Sequence, residues 1–161
     1  VRSMVDFFLL LQIAGAGDEL QGIKKGVIEI ADAIVVNKAD GDNRPRAEQA
    51  RAEFARVLHY LRSPTEGWTP RANICSAQTG FNIPEIWQMI EEFRAATTES
   101  GVFEKRRKNQ AINWMHALIE ERLKARFYGD PERKKEAKTM EQRVAAGDIT
   151  PAAAVEEMLG G

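Results

Sequence analysis

Asn37-Lys38-Ala39-Asp40 is the stretch whose residue types and spacing point most directly to chemistry. An ionised carboxylate only accepts hydrogen bonds, and it offers two oxygens side by side. Guanine presents its N1–H and 2-amino group as adjacent donors, so Asp40 suits a bidentate, charge-assisted pair with that base. Asn37 supplies an amide that can brace the loop and face the O6/N7 side of the base. The Lys38 stem can lie along the base's face. Adenine lacks the two adjacent donors and would leave a desolvated carboxylate unpaired, a mismatch worth roughly 10⁴-fold in discrimination. The tetrapeptide alone carries a real false-positive risk, so the elements around it decide its meaning.

Those elements read as an alternation of strands and helices. Ala33-Ile34-Val35-Val36 is a short apolar run of the kind that forms a buried strand, and Asn37 begins the loop at its carboxyl end. Met4 to Leu11 reads as another fully buried strand, stopped by Gly15-Ala16-Gly17. Leu20, Ile23, Val27 and Ile30 recur at helical spacing. Ala47, Ala50, Phe54, Val57/Leu58 and Leu61 predict an amphipathic helix closed by Ser63-Pro64. Ala72 to Cys75 is a third strand, followed by Ser76-Ala77-Gln78-Thr79-Gly80. Asn82, Pro84 and Glu85 start a helix that runs through Phe93, with Trp87 expected in its core. This order predicts an α/β domain with a parallel sheet and crossover helices.

In an open parallel sheet, ligands bind beyond the carboxyl ends of the strands. Asn37, Lys38 and Asp40 sit at one such end, and Ser76, Ala77 and Gln78 at the next. A small Ser-Ala turn can aim backbone N–H groups at guanine O6, where adenine carries a repelling donor. Taken alone, Ser76 to Gly80 reads equally well as an ordinary turn.

From about Thr97 the pattern becomes purely helical. Ile112, Met115, Ile119 and Leu123 mark one long helix. Asp130-Pro131 and Thr150-Pro151 start two more, and Gly147 ends the first of these. The expected division is an α/β part over 1–97 and a helical arm over 98–161. The arm has no second core partner in the chain, so it is expected to bury its apolar face against a copy of itself. Lys105-Arg106-Arg107-Lys108 lies unfavourably at a helix start, which calls for an acidic partner such as Glu99, Glu104 or another subunit.

The totals exclude several classes. The formal net charge is -1, so charge implies neither a nucleic-acid nor an anionic-membrane partner. Cys75 is the only cysteine, which rules out an intramolecular disulfide and any metal site of CxxC type. It reads as a packed strand residue, and a reduced, cytoplasmic setting fits. His59 and His116 lack ligand-spaced neighbours, so no metal site is expected.

Gly15-Ala16-Gly17-Asp18-Glu19-Leu20-Gln21-Gly22-Ile23-Lys24-Lys25-Gly26, followed by Val35 to Asp42, resembles the methylmalonyl-CoA mutase-associated G-protein chaperones. That family is also named lysine/arginine/ornithine transport ATPase or kinase. Arg106-Arg107, Trp114-Met115, Glu120-Glu121 and Gly147 to Ala153 extend the likeness over essentially the whole chain. The resemblance implies a P-loop-type GTPase domain that uses GTP/GDP, acts as a chaperone for an adenosylcobalamin-dependent mutase and forms homodimers through its carboxyl-terminal helices. It also implies a switch-like role for the stretch carrying Asp18, Glu19, Lys24 and Lys25. Read without the family, these residues equally suit a solvated loop and helix start.

The chain departs from the family in one respect. No G-x-x-x-x-G-K-[ST] occurs in it, and no D-x-x-G-type loop follows, so none of its residues is expected to cradle phosphates or hold Mg²⁺. Both features lie in the family on the amino-terminal side of the segment matched by Val1. The chain therefore reads as the carboxyl half of such a protein, with no catalytic residues of its own. Two other readings stay open: a non-enzymatic dimerisation or partner-binding module, and a GTPase linked to basic amino-acid transport.

Overall fold

The computed structural model describes residues 2–13 and 25–160. Two compact units divide the chain, Val1–Gln110 and Ala111–Gly161.

The first unit is built on a parallel sheet in the order β1-β2-β3, formed by Leu9–Ile13, Ala33–Asn37 and Arg71–Ile74. Leu9 pairs with Ala33, and Ala33 with Arg71, so the three strands run in step. The helices α1 (Lys25–Ile28), α2 (Arg44–Tyr60) and α3 (Ile83–Glu99) connect or flank them, and α4 (Val102–Gly129) begins after a break at Gly101. β2 is the central strand, which is why Ala33, Ile34, Val35 and Val36 are all fully buried. Its alternate side chains serve two cores. Ile34 and Val36 join Ala47, Ala50, Phe54 and Leu58 of α2 on one face. Ala33 and Val35 join Trp68, Ile86, Met89 and Phe93 on the other. Helices on both faces of a parallel sheet are the arrangement that a continuous apolar strand run requires.

Three expectations need correction. The first strand begins later than Met4 and is not fully buried. Arg2–Met4 forms a 3-10 turn, and Leu11 and Ile13 of β1 are 60% and 45% exposed. β1 is an edge strand of this sheet, and the cores formed by the described residues cover it only around Phe7 to Leu10. Trp87 is 63% exposed, because Ile86, Met89 and Phe93 supply the buried stripe of α3 and residue 87 lies off it. The third concerns the basic cluster at the start of α4, whose acidic partner is neither Glu99 nor Glu104. Arg107 pairs with Asp6, while Arg106 donates to the Asp6 carbonyl and, at 2.5 Å, to Thr65 Oγ1.

Arg106 belongs to a buried polar network around Asp32, which is wholly inaccessible. The Asp32 carboxylate accepts from Nη1 and Nη2 of Arg2, from the Thr65 hydroxyl and, at 2.9 Å, from the Phe8 N–H. Trp68 Nε1 donates to the Asp32 carbonyl at 2.9 Å. Every one of these groups finds a partner, the condition under which burying a charge is tolerable. Burial lowers the Arg106 pKa, as does the nearby Arg2 charge, while Asp32 and Asp6 oppose the shift.

The second unit is helical. Its α5 (Pro131–Ala146) is capped by Asp130, whose side chain accepts from the Glu132 N–H. It ends at Gly147, with φ 81°, where the Asp148 N–H returns to the Arg143 carbonyl. That left-handed residue is the reason glycine closes the helix. Thr150 caps α6 (Pro151–Leu159), its side chain accepting from the Ala153 N–H. Ala137 and Met140 are the buried residues of α5, and Ala154 that of α6. Along α4, Ile112, Trp114, Met115, Leu118, Ile119 and Leu123 are all exposed.

Candidate functional site

The loop after β2 and the loop after β3 are built into each other. Val36 at the end of β2 accepts from the Cys75 N–H, and the Ala39 N–H donates to the Cys75 carbonyl, both at 2.9 Å. Asn37 Oδ1 receives the Ala77 N–H at 3.1 Å and lies 3.5 Å from the Cys75 thiol. Ser76 is fully buried and its hydroxyl donates to Asp40 Oδ2. The same Ser76 oxygen accepts the Thr79 N–H at 3.2 Å. Four of the six predicted base-reading residues, Asn37, Asp40, Ser76 and Ala77, are thus brought into one bonded cluster. Lys38 and Gln78 lie exposed beside it.

Asp40 is held by one of its oxygens. Among the described residues, no donor engages Oδ1, which leaves that oxygen and the remaining lone pair on Oδ2 for an incoming ligand. The Ala77 N–H, expected to face a base O6, is donated to Asn37, so an arriving base must share or take over that bond. Burial raises the Cys75 thiol pKa, in keeping with a packed strand-end residue.

The pattern of strands and motifs missed the residues that buttress the two loops. Lys38 has φ 62°, a left-handed conformation that non-glycine residues seldom adopt. Asn43 donates through Nδ2 to the Lys38 carbonyl at 2.8 Å. The Arg44 guanidinium lies over the Phe81 ring at 4.7 Å, tying the start of α2 to the loop after β3. Phe81 in turn accepts the Ser76 N–H at 3.0 Å, and Asn82 Nδ2 donates to the Ile74 carbonyl at 2.7 Å. In sequence, Asn82 carries only the signal of a helix start, and no motif gives Asn43 a role.

Of the switch-like residues, Asp18, Glu19 and Lys24 lie outside the described residues, and Lys25 enters only as the first backbone residue of α1. Among the described residues, no group of three or more His, Cys, Asp or Glu could hold a metal ion. No helix among them is long and apolar enough to cross a membrane.

A parallel sheet covered by helices on both faces, followed by an all-helical arm, is an α/β architecture of the P-loop GTPase type. It superposes on the crystal structure of a LAO/AO transport system kinase with a TM-score of 0.78 and 35% sequence identity, over 98% of this chain and 50% of that one. The family described as methylmalonyl Co-A mutase-associated GTPase MeaB matches residues 1–132, and the chain belongs to that family. A probable GTPase of Mycobacterium bovis is 38% identical over 159 residues, which is 99% of this chain and 47% of that protein. The GTPase ArgK of Escherichia coli is 46% identical over 123 residues, 76% of this chain and 37% of its own length. The mitochondrial methylmalonic aciduria type A homolog of Mus musculus is 38% identical over 99% of this chain and 38% of its own length. The chain therefore spans about half, or less, of the length of these relatives.

Proposed function

We propose that this chain carries the base-reading part of a GTPase that serves as chaperone to an adenosylcobalamin-dependent methylmalonyl-CoA mutase. One observation carries the nucleotide part of this reading: the Ser76 hydroxyl and the Ala77 N–H bond to Asp40 and Asn37, which joins the two strand-end loops into a single surface. Asp40 would accept guanine N1–H and the 2-amino group, and the Ser76 bond orients its carboxylate for that task. Asn37 and Ala77 would exchange their mutual bond for contacts to the O6/N7 side. Lys38 would cover the base's face, and Gln78 would flank it. The family supports GTP/GDP as the ligand, with phosphates and Mg²⁺ held by residues outside these 161.

The expected division of labour places the nucleotide part within 1–97 and a dimerising helical arm within 98–161. The exposed stripe from Ile112 to Leu123 favours self-association, because a contiguous apolar helix face in water marks an interaction surface. A cytoplasmic setting is part of the same reading, as is the switch-like role of Asp18, Glu19, Lys24 and Lys25.

The deciding experiment is nuclear magnetic resonance titration of the chain with GMP and AMP. Shifts at Ala39, Asp40, Ser76 and Ala77 with GMP and none with AMP are expected; equal responses to both would overturn the guanine reading. Co-sedimentation with the mutase tests the partner, and its absence with either GDP or GTP present would remove the chaperone role.

A further inference from the structure

Asn43 occupies the cap position of α2, yet its side chain makes no capping bond. A side-chain oxygen at that position ordinarily accepts from the N–H of the second or third helical residue. Pro45 stands at the second position and has no N–H to give. The Asn43 amide turns back instead and donates to the Lys38 carbonyl at 2.8 Å. Its backbone N–H closes the same turn onto the Asp40 carbonyl at 3.1 Å. Asn43 therefore grips the four-residue stretch on both sides of Ala39, and it does so where Lys38 is held in the left-handed region.

We infer that Asn43 is a positioning residue for base discrimination, fixing the left-handed turn at Lys38 that sets the aim of the Asp40 carboxylate. The inference rests on the guanine reading above. The carbonyl of a left-handed residue faces away from the direction an ordinary extended loop would give it, so it needs a donor brought to that side. The Asn43 Nδ2 is that donor. Ser76 fixes one oxygen of Asp40 from the far side of the site, and Asn43 fixes the backbone from which the carboxylate hangs. Without the second restraint, Asp40 keeps its Ser76 bond but loses its angle to a base lying between the loops.

The prediction concerns selectivity and not merely affinity. IMP differs from GMP only by lacking the 2-amino group, so the GMP-over-IMP preference reports the alignment of Asp40. The test titrates the parent chain, Asn43→Asp and Asn43→Ala with GMP and with IMP, following amide shifts, and records each thermal midpoint. Asn43→Asp keeps the shape and a capping oxygen but cannot donate; Asn43→Ala removes the donor without adding charge. Both variants should lower the GMP-over-IMP preference by about fivefold, the worth of one ordinary hydrogen bond. The midpoint of Asn43→Asp should stay level or rise, since a carboxylate at a helix start is favourable. A parental preference in both variants, or equal losses for GMP and IMP, would overturn the assignment of Asn43. A parent that does not distinguish GMP from IMP would overturn the guanine reading itself, and this inference with it.

Discussion

The Ser76 hydroxyl donates to the Asp40 carboxylate across 36 positions of sequence, joining the ends of two neighbouring parallel strands. The bond places a small, buried hydroxyl against one oxygen of the carboxylate. The cross-bonding of the two loops joins two separate turns into one surface.

Asp40→Asn should invert the base preference. The new amide donates where the carboxylate accepted, which suits the 2-oxo group of xanthine. Compared with the parent, XMP should gain over GMP by about tenfold to a hundredfold, the worth of a hydrogen bond to a charged group. Unchanged relative affinities in the titration would contradict the role given to Asp40.

The 161-residue chain should show no GTP turnover with Mg²⁺, because its sequence contains no G-x-x-x-x-G-K-[ST] stretch. Phosphate release measured on stringently purified protein checks this, and turnover that persists would mean that a phosphate site exists among these residues.

Asp32→Ala should destabilise the first unit by about 3–5 kcal/mol, because it leaves the Arg2 and Arg106 guanidinium groups facing each other with no carboxylate between them. Urea unfolding gives the number. A loss below about 1 kcal/mol would show that the network is solvated in solution and contributes as little as a surface pair.

Cys75 gives a pH dependence of known sign. Its folded thiol pKa lies above the ordinary 9.0, through burial, so the folded state keeps the proton where the unfolded chain has lost it. The stabilising contribution is complete below pH 9.0 and fades as pH climbs from there through the folded value. Between pH 8 and 10.5 the parent should lose more stability than Cys75→Ala does. Parallel curves for the two proteins would remove Cys75 as the cause.

Replacing Trp114 and Leu118 with glutamate should shift the chain to monomer in sedimentation at tens of micromolar while leaving helix content intact. Both side chains are exposed along the α4 stripe, so the change costs little packing within the chain. A parent that is already monomeric would dismiss the dimer.

What the sequence disclosed and what it hid follow from range. Val35 advertises a buried strand because Ala33, Ile34 and Val36 beside it are all apolar, and Asp130, Gly147 and Thr150 announce helix ends through bonds made within a few residues. The Arg107–Asp6 pair, by contrast, spans 101 positions, and nothing local to Lys105–Lys108 could have named it. The start of β1 is hidden in the sequence because Phe7 and Phe8, which precede it, are as apolar as a strand. Phe7 spends its ring on Phe93 at 4.8 Å and on Trp68, a tertiary contact that hydropathy alone cannot distinguish from sheet. The bracing role of Asn43 is not legible in the sequence, because it depends on the backbone angle of Lys38.

The register of the sheet carries a last consequence. Ile13 is the cross-strand partner of Asn37, so the final residue of β1 stands level with the first residue of the base-reading loop. Adjacent strands lie about 4.8 Å apart. The carboxyl end of β1 therefore lies at the same rim as Asn37, one strand's width away.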